Sequence, residues 1–123
     1  MTSFPDPRQR IRDVGGAPRL DGWRCTQCRR PFALSGPWCP YCRGRLEPAL
    51  FGLSGVVWSA TVLRVPLPGR PPPSALVYVD LDDGPRVLGH VRDRVTDRLH
   101  AGARVRGTGL SEYGDLAFEE EPS

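Results

Sequence analysis

The chain has 123 residues, room for one ordinary domain or two small ones, with 39% hydrophobic and 25% charged residues. That balance describes a soluble globular protein and excludes a helical membrane protein, because no apolar run reaches the roughly 18 residues that a span needs. The net charge of +3 comes from 17 basic residues, all arginine, against 14 acids, and it is too small to describe a polyanion-binding surface by itself.

Residues 1–22 read as an N-terminal arm. Residues 9–14 allow a helical turn or two, limited by Pro5, Pro7 and Gly15-Gly16. Residues 1–14 are polar and contain no apolar signal segment, so a cytoplasmic location is expected. In a reducing compartment cysteines stay as thiols, which favours metal ligation over disulfides.

Residues 23–49 hold the strongest signal. Cys25-Thr26-Gln27-Cys28 and Cys39-Pro40-Tyr41-Cys42 are two Cys-x-x-Cys turns separated by ten residues, and they use all four cysteines of the chain. Each turn lets two sulfurs converge on one ion, and two turns complete a tetrahedron. The expected cofactor is one structural Zn²⁺ held by Cys25, Cys28, Cys39 and Cys42. Four protein ligands leave no open position for substrate, so function is expected elsewhere. The same spacing also suits iron in a rubredoxin-like electron carrier, and a visible Fe(III)–thiolate colour distinguishes the two. A thioredoxin-like redox pair would use one Cys-x-x-Cys rather than two. Trp23, Phe32, Trp38 and Tyr41 are expected to pack around the metal, since aromatics dominate small cores.

From residue 50 the texture changes to strands. Residues 56–63, 75–81, 86–90, 103–107 and 116–119 are rich in β-branched or alternating apolar residues and read as five strands. Asp82-Asp83-Gly84 is a tight turn joining the second and third. A proline-rich loop is expected over residues 67–74 and a short helix over residues 91–100, where Val91, Val95 and Leu99 share one face. Five short strands suit a Greek-key barrel better than a seven-stranded sandwich. The expected fold is mainly β: a small rubredoxin-like zinc ribbon, then a five-stranded OB-type barrel over residues 50–123 with an acidic C-terminal end.

No catalytic set is visible. The two histidines, His90 and His100, stand ten residues apart, Asp80, Asp82 and Asp83 belong to a turn, and no phosphate loop or nucleophile elbow occurs. The chain is therefore expected to be no enzyme on its own. Charge divides unevenly: residues 1–47 carry nine arginines and four acids, residues 48–123 eight arginines and ten acids. Four thiolates on a dication add −2, so the metal-bound chain is nearer +1. Trp58 and Tyr78 offer stacking platforms for nucleic acid, but the near-neutral charge and acidic end disfavour that partner.

The order of parts carries a resemblance. Trp23-Arg24-Cys25-Thr26-Gln27-Cys28, Cys39-Pro40-Tyr41-Cys42, and Gly55-Val56-Val57-Trp58-Ser59-Ala60-Thr61-Val62 follow one another as ribbon, connector and first barrel strand. With the hairpin over residues 79–90 and the segment over residues 101–107, this resembles the DUF35 family of zinc-ribbon OB-fold proteins. The resemblance covers about residues 20–120. It departs from the family in a short, proline-rich arm and in the acidic end Leu116-Ala117-Phe118-Glu119. It implies a non-catalytic accessory subunit of a thiolase-like or ketosynthase-like enzyme that stabilises the enzyme and helps bind or channel acyl-CoA. Arg24, Arg29 and Arg30 beside the ribbon, and Arg64, Arg70 and Arg86 around the barrel, are candidates for the coenzyme A phosphates. No membrane partner is expected.

Overall fold

The structure, a computed structural model, describes residues 10–65, 74–91, 100–110 and 115–121. Its elements are β1 (Ile11–Val14), β2 (Ala17–Cys25), β3 (Pro31–Phe32), β4 (Leu46–Phe51), β5 (Ser54–Leu63), β6 (Ser74–Leu81), β7 (Arg86–Val91), β8 (Arg104–Leu110) and β9 (Leu116–Glu120), with no helix among the described residues. The expected proline-rich loop (up to residue 73) and the expected short helix (over residues 92–99) lie outside them.

The first four strands form the ribbon sheet, with β2 at its centre. One edge of β2 pairs with β1 and β3, the other with β4, all antiparallel. The helical turn expected over residues 9–14 is not what forms: Ile11–Val14 is a strand. Gly15 and Gly16 join Val14 to Ala17 with φ of 61° and 84°. A two-residue hairpin turn of type I′ needs positive φ at both central positions, and two glycines supply it without a steric cost. Strand β2 then runs on across residue 22, where the arm was expected to end.

The last five strands close into a barrel in the order β5-β6-β7-β9-β8. All pairings are antiparallel except β7 with β9. That single parallel contact, made by the last strand inserting between the third and fourth, is the OB-type Greek key. All five expected strands are present. The β6–β7 turn falls at Asp82-Asp83-Gly84, with Asp83 at φ 53° and the Gly84 amide donating to the Leu81 carbonyl at 3.0 Å.

Alternation along the strands fills one continuous core. Val57, Val77, Val79, Val87, Val105, Leu116 and Phe118 are buried inside the barrel, and Leu20 of β2 and Phe51 of β4 join the same cluster. The ribbon sheet is thus rooted in the barrel through Leu20 and Phe51, with Ile11, Ala33 and Ala49 packed against the same cluster. Phe118 is the largest fully buried residue. Its ring lies against the backbone of Gly89, where an added Cβ would stand 2.5 Å from two ring carbons and 2.9 Å from the Leu116 carbonyl. Gly89→Ala is expected to lower stability by about 1–3 kcal/mol through overpacking. Urea denaturation monitored by tryptophan fluorescence checks this, and an unchanged midpoint would show that the ring has room to move.

Candidate metal centre

The two Cys-x-x-Cys turns fold on one pattern. In the first, the Cys25 amide donates to the Arg30 carbonyl at 3.0 Å and the Arg29 amide donates to the Cys25 carbonyl at 3.2 Å. In the second, the Cys39 amide donates to the Gly44 carbonyl and the Arg43 amide to the Cys39 carbonyl, both at 2.8 Å. Arg29 and Arg43 occupy the same place in each turn, and both have positive φ, 65° and 63°. A non-glycine residue in that region is strained unless its surroundings hold it there. No residue type at these positions announced it. Thr26 ties the turns together, donating to the Arg45 carbonyl through its amide at 2.8 Å and its hydroxyl at 3.0 Å.

The four sulfurs lie within 4.8 Å of one another. Cys25 and Cys42 sulfurs are 3.4 Å apart, and those of Cys28 and Cys39 are 3.7 Å apart. A tetrahedral ion with metal–sulfur bonds of about 2.3 Å would separate its ligands by about 3.8 Å, so the cluster fits a metal ion. All four cysteines are free, and the closest sulfur pairs are far outside a disulfide bond of about 2.05 Å. Gly44 is buried against the site, and a Cβ there would meet the Cys25 sulfur at 2.9 Å and the Cys42 sulfur at 3.2 Å.

Electrostatics make the same case. Burial pushes the Cys25 thiol up, but amide donation from Cys28 and Gln27, with the neighbouring thiols, outweighs it and brings Cys25 down to about 6. Cys39 is likewise lowered: burial opposes, while the Cys42 and Tyr41 amides prevail. At Cys42 the Gly44 amide favours the thiolate, yet the surrounding sulfurs and burial override it and raise the group to about 11. Without a cation the site holds some thiolates and keeps Cys42 protonated. A dication is what lets all four ionise together.

Of the ribbon aromatics, Trp38 and Tyr41 do not pack around the metal as expected. They are 55% and 67% exposed. Phe32 is half-buried and lies 6.2 Å from the Tyr41 ring.

The arginines proposed for coenzyme A do not share one role. Arg24 is a clamp: its guanidinium donates to the Arg29 carbonyl at 2.6 Å and the Asp83 carbonyl at 2.9 Å, and sits over the Phe51 ring at 5.2 Å. It fastens the ribbon to the β6–β7 turn. Arg29 pairs with Glu47 at 3.0 Å and Arg30 lies 4.2 Å over the Tyr41 ring. Arg86 binds both Asp80 oxygens, at 2.6 and 3.2 Å, and stacks 3.9 Å over Trp58. Arg64 is exposed at the end of β5, and Arg70 lies outside the described residues. The turn acids are held too: Arg104 grips Asp82 at 2.9 and 2.7 Å, which keeps that carboxyl below its usual range. His90 stands 3.9 Å from Asp115, and the His100 Nδ1 lies 2.9 Å from the Ala101 carbonyl.

Comparison with known proteins agrees with this architecture. Residues 49–109 match the family described as the C-terminal OB-fold domain of ChsH2. A chain in the solved structure titled Ltp2-ChsH2(DUF35) aldolase is 25% identical, with a TM-score of 0.68, and the likeness covers 83% of this chain and 84% of that one. The chain belongs to the DUF35 family. No curated protein matches the sequence. The family match covers the barrel, and the structural likeness extends over most of both chains.

Metal binding must displace protons, at least the one on Cys42 at neutral pH. Affinity for added Zn²⁺ should therefore fall as pH falls, about tenfold for each proton displaced per pH unit, and more steeply below about pH 6 as Cys25 also protonates. Competition titration between pH 8 and 5.5 reads this directly. Cys39→Ser should lose the ion and the ribbon's order together. Full metal occupancy in that variant, or a pH-independent affinity, would contradict the four-thiolate site.

Proposed function

We propose that this DUF35 chain is the non-catalytic accessory subunit of a thiolase-like or ketosynthase-like acyl-CoA enzyme, working in the cytoplasm. The observation that carries the reading is the likeness, across most of both chains, to the ChsH2 (DUF35) component of an aldolase that also contains Ltp2. The ion is proposed to be Zn²⁺ in a structural role, holding the ribbon over residues 23–49 beside the barrel over residues 50–123.

Several features of the chain support this reading. The acids that might have formed a catalytic pair, Asp80 and Asp82, are engaged by Arg86 and Arg104. A paired carboxylate is a poor base, because the adjacent guanidinium favours its charged form. What the chain offers instead is surface: exposed apolar side chains on the ribbon and on the outer barrel face. For the coenzyme A phosphates, Arg24 is now the weakest candidate, since carbonyls already use its donors. Arg29, Arg30, Arg64 and Arg86 are exposed; Arg29 and Arg86 are held by Glu47 and Asp80, so Arg64 is the strongest candidate of the barrel. Nucleic acid is disfavoured on the barrel face, because Asp80 neutralises the arginine that stacks on Trp58.

Affinity capture of the tagged chain from nuclease-treated host lysate should recover a thiolase-fold enzyme in stoichiometric amount. In the recovered complex, Arg64→Glu should raise the dissociation constant for acyl-CoA about tenfold, the order expected when a charge-assisted phosphate contact is lost. Recovery of no such enzyme would remove the accessory-subunit reading, and unchanged acyl-CoA affinity would remove Arg64 from it.

A further inference from the structure

The ribbon carries an apolar cleft that the metal site does not use. It has a volume of about 340 Å³ and is lined by Phe32, Leu34, Pro37, Trp38, Pro40 and Leu46. It lies on the segment between and after the two cysteine turns. Leu34 is 56% exposed beside the equally open Trp38. Its size suits one or two bulky side chains of another molecule.

Charge says what kind of molecule. Residues 22–46 contain five arginines and no acid; Arg24 and Arg29 are paired with Asp83 and Glu47, which leaves Arg30, Arg43 and Arg45 to set the charge of this stretch. Arg30 is stacked on Tyr41, whose ring faces Phe32 of the cleft wall, and exposed Arg45 directly precedes Leu46 of the lining. The acids that flank this stretch are occupied: Asp21 by Arg12 at 2.9 Å and Glu47 by Arg29 at 3.0 Å. The cleft is therefore an apolar socket in a cationic surround. The barrel shows the opposite pattern, with Asp80, Asp82, Glu119 and Glu121 each bound by Arg86, Arg104 or Arg106. A second copy of this chain thus has those carboxylates already committed. Nucleic acid is the poorer occupant, since Leu34, Pro37, Pro40 and Leu46 offer aliphatic faces and only Phe32 and Trp38 of the lining named above offer stacking ones.

We infer that the cleft docks an acidic segment of a protein partner, one bulky apolar anchor seated in the socket and flanking carboxylates facing the arginines. A central apolar anchor with a charged rim is the usual anatomy of a specific interface. The proposal rests on the accessory-subunit reading only for the partner's identity, the enzyme subunit.

Two measurements on the metal-bound full chain decide it. The probe is a dye-labelled peptide, Glu-Glu-Asp-Trp-Leu-Asp-Glu-Glu, read by fluorescence polarisation against a control with every acid replaced by lysine. The acidic peptide should bind at least about tenfold tighter than the control at low salt, with the gap shrinking as salt is raised. Leu34→Glu and Arg30→Glu, each with unchanged metal content, should weaken it about tenfold. Equal binding of the two peptides, tighter binding of a single-stranded oligonucleotide, or no loss in both variants overturns the proposal, as does self-association abolished by Leu34→Glu. In the lysate capture, wild-type recovery of the enzyme that Leu34→Glu loses supports it. Recovery by both forms overturns the cleft and leaves the accessory reading standing. Peptide binding lost in Leu34→Glu, with no enzyme recovered by wild type, supports the cleft and sinks the accessory reading.

Discussion

Four sulfurs held within one coordination sphere are the constraint on which the ribbon depends. Cys25 and Cys39 are fully buried at the site with Gly44 buried against them, Trp23 and Phe32 are half-buried, and Trp38 and Tyr41 stand open to solvent. A segment with so little apolar burial cannot offset the cost of ordering its backbone, which runs at roughly 1–2 kcal/mol per residue. Metal coordination supplies the difference in such modules. The two turns share one hydrogen-bond pattern and one strained arginine position because each must aim two sulfurs at the same point.

The barrel solves the opposite problem. Its core is apolar and closed, with no buried polar or charged side chain among the described residues, and on its outside Asp80, Asp82, Glu119 and Glu121 are paired with Arg86, Arg104 and Arg106. Leu20, Phe51 and the Arg24 clamp join the two halves, so the ribbon projects from the barrel in a defined direction. Its exposed aromatics and unpaired arginines are thereby presented as a surface. The molecule is a closed barrel carrying a small ribbon built around four clustered cysteines.

Much of this was legible in the sequence, and the limits are physical. The barrel strands showed because one face of each is buried, which writes a two-residue period into Val77-Tyr78-Val79 and its neighbours. The clustering of the four cysteines showed because the chemistry of a tetrahedral site dictates their spacing. Strand β1 did not show: Ile-Arg-Asp-Val has no alternation, and only the Gly15-Gly16 turn marks the hairpin. The exposure of Trp38 and Tyr41 was misjudged because composition speaks for burial only where a second layer exists to bury against. Arg24 looked like a ligand-binding arginine. Its true partner, Asp83, is 59 residues away, and a contact that distant leaves no local pattern.

Hydrogen exchange on the metal-bound protein and on the chelated protein tests the central claim most directly. The account predicts that removing the ion abolishes protection around the cysteine turns, over residues 25–46, while amides of β5 to β9 stay protected. Protection lost equally across ribbon and barrel, or retained at the cysteine turns without metal, would contradict it.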